Sequence, residues 1–211
     1  MKTHVTFVLD SSGSMSSIRS DTIGGFNAFL SDQRDETGSA TVSLFEFNTS
    51  VSLVYQGMEI EEAPELDENT YVPGGQTALH DAISTAVNET ASDMAAMEPA
   101  TRPENVIVVV LTDGKENASE TPADQVRNLV TTYRKEHDWE FLFIGANQDA
   151  ALAASEMGMD ADHSLDMAHS GEGTRAAYES TSERVSRARE EGSTGGFDDD
   201  DRDRQQDADG S

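Results

Sequence analysis

Short apolar runs alternate along this chain with longer segments in which apolar residues recur every three or four positions. Thr3 to Leu9 is apolar almost throughout and predicts a buried central strand. Ser16 to Arg34 carries Ile18, Ile23, Phe26, Phe29 and Leu30 at helical spacing, broken by Gly24-Gly25, which weaken a helix. After a polar turn at 35–39, the runs Ala40 to Phe47 and Val51 to Glu59 flank the short turn Asn48-Thr49-Ser50. That spacing predicts a hairpin whose second strand is antiparallel and at the sheet edge. An acidic loop, 61–70, leads to a glycine turn and a helix from Ala78 to Met97, with Leu79, Ile83, Ala86, Val87 and Met94 inward. Asn105 to Leu111 predicts a second central strand. A helix to Glu136 follows Pro122, whose fixed φ suits a helix start. Trp139 to Ile144 reads as a buried strand, Ala150 to Met157 as a short helix, His163 to Met167 as a last edge strand, and Thr174 to Glu190 as a helix with Ala177, Thr181, Val185 and Ala188 inward. This alternation predicts an α/β domain, a mostly parallel sheet with helices on both faces, over residues 1–191. From Gly192 apolar residues nearly vanish, and 192–211, with its run Asp198 to Asp201, reads as an acidic disordered tail.

Three loops in this pattern carry chemistry. Asp10-Ser11-Ser12-Gly13-Ser14 joins the first strand to the first helix. Ligands of open α/β sheets bind at such carboxyl ends of strands. Pro73-Gly74-Gly75-Gln76-Thr77 opens the helix at Ala78, and Thr112-Asp113-Gly114 ends the strand at 105–111. The donors are carboxylates and hydroxyls, with no lysine, cysteine or histidine in the first loop. Hard oxygen donors suit Mg²⁺ or Mn²⁺. Thr77 has an ordinary alternative as a helix N-cap, and Asn48 reads as a turn former. His80 reads as a packing or surface histidine. His163 and His169, with Asp160, Asp162 and Asp166, have a spacing that fits no tight set of metal ligands.

The charge narrows the classes of partner. Forty-one acidic residues stand against 14 basic ones, a net charge of -27, and only Lys2, Lys115 and Lys135 are lysines. The acids are spread over the whole chain, which points to a protein of a salt-loaded cytoplasm that loosens when salt is withdrawn. Nucleic acid and anionic membranes are excluded as partners for want of basic patches. The chain has no cysteine, so neither disulfides nor thiol catalysis arise. The first strand begins too close to Met1 for a signal peptide, and no apolar stretch is long enough to span a membrane, so a cytoplasmic location is expected.

The order Asp-x-Ser-x-Ser, a threonine after a glycine turn, and Thr-Asp-Gly at a strand end resembles the metal-ion-dependent adhesion site (MIDAS) of von Willebrand factor type A domains, over residues 3–190. The resemblance implies a Rossmann-like, doubly wound sheet of six strands in the order 3-2-1-4-5-6, with strand three antiparallel. It implies that Ser12 and Ser14 bind Mg²⁺ directly, with Mn²⁺ or Ca²⁺ as alternatives. Asp10 and Asp113 would hold the ion at least partly through water, and Thr77 directly or through water. One coordination position is left for a Glu or Asp of a protein partner, which for intracellular members suggests an ATPase or a stress-response complex. No catalysis is expected. The alternatives are a metal-dependent hydrolase or phosphoesterase, which lacks an obvious acid/base pair here, and a domain whose metal is purely structural.

Overall fold

The computed structural model describes residues 1–210. Its strands are β1 (Thr3–Asp10), β2 (Ala40–Phe47), β3 (Val51–Glu59), β4 (Asn105–Thr112), β5 (Glu140–Gly145) and β6 (Ser164–Asp166). Its α-helices are α1 (Arg19–Asp35), α2 (Leu79–Ala96), α3 (Ala123–Glu136), α4 (Ala150–Glu156), α5 (Gly171–Glu191) and α6 (Asp199–Asp209). The strands form one sheet in the order β3-β2-β1-β4-β5-β6. Only β2 and β3 pair antiparallel; every other neighbouring pair is parallel.

The pleat sorts the core. On β4, Ile107, Val109 and Leu111 face one side, where Phe26, Phe29 and Leu30 of α1 and Ala177, Tyr178 and Val185 of α5 lie. Val106, Val108 and Val110 face the other, against Ile83 and Val87 of α2 and Val126 and Val130 of α3. A strand buried on both faces has no polar period, which is why β1 and β4 read as continuous apolar runs. Gly25 lets the two helices of the first layer close up: a Cβ there would overlap the ring of Tyr178. That ring stacks on Phe7, 6.4 Å between centroids.

The β3 edge is irregular. Its register with β2 shifts twice between Val42 and Phe45, Gly57 stands at φ 60°, and Leu53 and Val54 are exposed. A left-handed φ costs little only at glycine.

The structure departs from the sequence reading in two places. Gly13–Ile18 forms a 3-10 turn before α1, so Ser14 sits in a tight turn and not ahead of a helix beginning at Ser16. The segment expected to be a disordered tail carries a helix, α6. Asp198 and Asp201 form a reciprocal capping box at the start of α6, with Asp201 N donating to Asp198 Oδ1 (3.1 Å) and Asp198 N to Asp201 Oδ2 (2.9 Å). Both carboxylates also meet Arg184 of α5. An acidic run is favourable at a helix N-terminus, where free N–H groups and the helix dipole attract it. Phe197 and Ala208 are buried against the domain. Ser211 lies outside the described residues.

Candidate metal centre

The carboxyl ends of β1 and β4 lie side by side, because these strands pair in register from Thr3–Asn105 to Leu9–Leu111. The next residues are therefore the first and third candidate loops. Asp10 ends β1 fully buried. Its Oδ1 accepts from Ser12 N (2.6 Å) and its Oδ2 from Thr112 Oγ1 (2.6 Å). Its backbone carbonyl accepts from the buried phenol of Tyr71 (2.5 Å). Ser12 Oγ lies 3.1 Å from Ser14 Oγ, which donates to Asp113 Oδ1 (2.5 Å).

The middle loop is laced into the others by its backbone. Gly74 N donates to Ser11 O (2.8 Å), and Gly75 O accepts from Gly13 N (3.1 Å). Gly75 holds φ 83°, and a Cβ there would press on Thr49 Oγ1 at 2.8 Å. Thr77 is not the cap of α2, whose N-cap position is Ala78. The free N–H groups around this helix start are instead taken by the β4–α3 loop: Thr77 N by Asn117 Oδ1 (2.9 Å), His80 N by Glu116 Oε2 (2.9 Å) and Asp81 N by Ser119 Oγ (3.0 Å). That clamp holds Thr77 against Gly114. A Cβ on Gly114 would stand 3.1 Å from Thr77 Oγ1 and 3.7 Å from Ser14 Oγ, so the missing side chain leaves a recess bordered by both hydroxyls. Sequence reasoning placed Asn48 as a turn former, and it is one: its Oδ1 accepts from Ser50 N (3.2 Å).

The electrostatics of the cluster are unbalanced. Asp10 and Asp113 are 0% and 1% exposed, and no Lys or Arg pairs with either among the described residues. Burial pushes the Asp10 carboxyl above the usual carboxylate range and the charge of Asp113 adds to this; hydrogen bonds from Thr112 and Ser12 pull it back. Buried carboxylates left without a cation are costly. The donor set of two carboxylates and three hydroxyls, with the recess at Gly114 beside Ser14 and Thr77, fits a hard divalent ion.

The structure also resolves the scattered histidines. His169, in the β6–α5 loop, places Nε2 2.9 Å from Asp113 Oδ2. Asp166 Oδ1 accepts from Ala150 N at the start of α4 (2.8 Å). Asp160, Asp162 and His163 do converge, their ligand atoms within 4.8 Å, but each already has a protein partner. Asp160 pairs with Arg134, and His163 lies between Asp162 (3.1 Å) and Glu140 (3.3 Å). The imidazole of His80 has no part in the cluster's hydrogen bonds.

The model of the von Willebrand factor type A domain matches residues 4–186, and the chain belongs to this family. Domains of the family commonly mediate protein–protein interaction and are usually non-enzymatic. Among solved structures, proximal thread matrix protein 1 of the mussel byssus superposes with TM-score 0.60 at 16% identity, over 84% of this chain and 46% of that one. A form of that protein with a zinc-occupied MIDAS motif gives TM-score 0.60 at 16% identity, over 85% and 46%. The vWF domain of the type V pili tip protein Mfa5 from Porphyromonas gingivalis gives TM-score 0.62 at 11% identity, over 87% of this chain and 94% of that one. The chain thus spans about half the length of the byssus protein it resembles. No curated protein matches it in sequence. No helix among the described residues is long and apolar enough to cross a membrane.

Proposed function

We propose that this domain binds Mg²⁺ through Asp10, Ser12, Ser14, Thr77 and Asp113, and through the ion takes a Glu or Asp carboxylate of a protein partner, without catalysis. The observation that carries the reading is the pair of buried carboxylates with no Lys or Arg partner among the described residues, one of them, Asp113, joined to the linked Ser12 and Ser14 hydroxyls beside a recess at Gly114 that Ser14 and Thr77 border. Ser12 and Ser14 bind the ion directly. Asp10 and Asp113 act at least partly through water, and Thr77 directly or through water. Few carboxylates on the ion leave it electrophilic toward a partner's carboxylate. Mn²⁺ and Ca²⁺ suit the same oxygens. The zinc-occupied MIDAS of the byssus protein is a precedent for a divalent ion at this place in the fold. A serine hydrolase is disfavoured because the order in space is hydroxyl, carboxylate, imidazole: Ser14 meets Asp113, and His169 meets only the far oxygen of Asp113. A nucleophilic serine needs the imidazole as its own neighbour.

Calorimetric titration of the full chain with Mg²⁺ and Mn²⁺ in molar KCl tests the site. Wild type binds one ion, and Asp10→Ala loses binding while keeping its circular dichroism. Retained affinity in Asp10→Ala would refute the ligand set. Capture of a partner by wild type with Mg²⁺, lost both with chelator and in Asp10→Ala, tests the bridging role.

A further inference from the structure

The contact between His169 and Asp113 joins the candidate centre to a loop that the motif does not include. Asp113 is engaged from both sides: Oδ1 accepts from Ser14 Oγ, and Oδ2 lies 2.9 Å from His169 Nε2. A buried carboxylate with its outer oxygen held cannot turn its inner oxygen away from the hydroxyls. The loop that carries the imidazole is held on both sides of His169. Ala168 N, one residue earlier, donates to Gln205 Oε1 of α6 (2.9 Å), and Gln205 Nε2 donates to Gly173 O (3.1 Å). Met167 N donates to Gly145 O (2.9 Å), tying the loop to the end of β5. Ser170, one residue later, caps α5 through Gly173 N (3.0 Å). Gln205 is 5% exposed, so the brace is internal.

We propose that His169 is a positioning residue of the cation site: through Asp113 Oδ2 it fixes the carboxylate so that Oδ1 faces the Ser12–Ser14 hydroxyls. This rests on the metal-binding reading above. Outer partners that orient a metal's ligands are typically worth 10–100-fold in metal affinity, because an unheld ligand must be ordered when the ion binds. The 2.9 Å spacing has a competing meaning, since neighbouring donors on one octahedral ion also stand about 3 Å apart. In that case His169 is itself a ligand, and the experiment separates the two.

The probe is Mn²⁺, titrated into the full chain in molar KCl and followed by electron paramagnetic resonance. His169→Ala is expected to weaken Mn²⁺ about 10–100-fold. His169→Gln, whose amide N–H reaches Asp113, is expected to restore most of the loss, and His169→Asn, which is too short, is not. Pulsed spectra of the wild-type complex should lack the coupling of a directly bound nitrogen. Unchanged affinity in His169→Ala overturns the proposal. So does a bound-nitrogen signal that vanishes in that variant, which makes His169 a ligand. Unfolding in chelator shows whether His169→Ala is folded; if it is not, the Gln and Asn variants carry the test, and equal affinities in them overturn it. A wild type that takes up no Mn²⁺ overturns the metal-binding reading and this one with it. Wild-type binding with no effect at position 169 overturns this one alone.

Discussion

Among the described residues His4 is the one fully buried histidine. Its Nδ1 lies 2.8 Å from Thr41 Oγ1, and its Nε2 3.1 Å from Thr6 Oγ1 and 3.2 Å from Ser43 Oγ. Hydroxyls can satisfy a neutral imidazole but give a cation no counter-charge, and burial pushes its pKa down to about 4. The unfolded chain therefore holds a proton at this residue between pH 6.5 and 4 that the folded chain does not, and the stability contributed by neutral His4 falls as pH falls through that window. Glu46 works against it. Its Oε1 is buried without a hydrogen-bond partner, and burial pushes its pKa up to about 7. Here the folded chain holds the extra proton, and stability is lost as pH rises from 4.5 through 7. Since the two oppose, the expected signal lies in differences. In urea unfolding, the advantage of wild type over His4→Gln should shrink from pH 6.5 toward 4, by up to about 3 kcal/mol. Glu46→Gln should gain on wild type as pH rises through 7. Parallel pH curves for wild type and either variant would refute the assignment for that residue.

At the scale of the element, the adjacent glycines of α1 part company. A Cβ on Gly24 meets nothing within 4 Å, whereas one on Gly25 overlaps the buried ring of Tyr178. Gly24→Ala should stabilise by about 0.5–1 kcal/mol through helix propensity. Gly25→Ala should destabilise by about 1–3 kcal/mol through overpacking. Unfolding midpoints moving in the same direction for both would reject this account. In the sequence the pair looks only like a weakness in a helical run, because a close approach between α1 and a residue 153 positions away leaves no local period. What was legible were the strands and the three loops: β4 and β5 are apolar in all but their end residues, β1 is mostly so, and Asp10, Thr77 and Asp113 each sit at an element boundary. What escaped was held by polar pairing. α6 docks through the Asp198–Asp201 cap, Arg184 and Gln205 and not through an apolar stripe. His169 finds Asp113 across 56 positions of chain. Arg189, polar at an inner position of α5, is buried because its guanidinium donates to Gln33 O, Gln33 Oε1 and Gly38 O at the end of α1.

At the scale of the molecule, several arginines are turned inward to backbone carbonyls. Arg189 closes the end of α1, Arg34 donates to Ala63 O and Ile60 O, and Arg202 to Ser164 O. With a net charge of -27, the acids on the surface repel one another with little to answer them. The midpoint of thermal unfolding should therefore climb steeply from low salt to molar KCl, where the screening length is about 3 Å. In molar KCl, added Mg²⁺ should raise it further in wild type but not in Asp10→Ala, since an ion bound only by the folded state stabilises that state. A midpoint unmoved by KCl would reject the salt requirement.

Salt that screens the surface also removes the repulsion that keeps copies of the chain apart, and the sheet has two ends where another strand could add. At β6 the end is only three residues long, and α6 stands beside it with Arg202 on Ser164 O. At β3 the end is open and carries exposed Leu53 and Val54, but its double shift of register and the left-handed turn at Gly57 bend it out of line. A bent edge is a poor template for a straight incoming strand. In concentrated brine, resistance to edge-to-edge aggregation then rests on the shape of β3 and not on the charge around it.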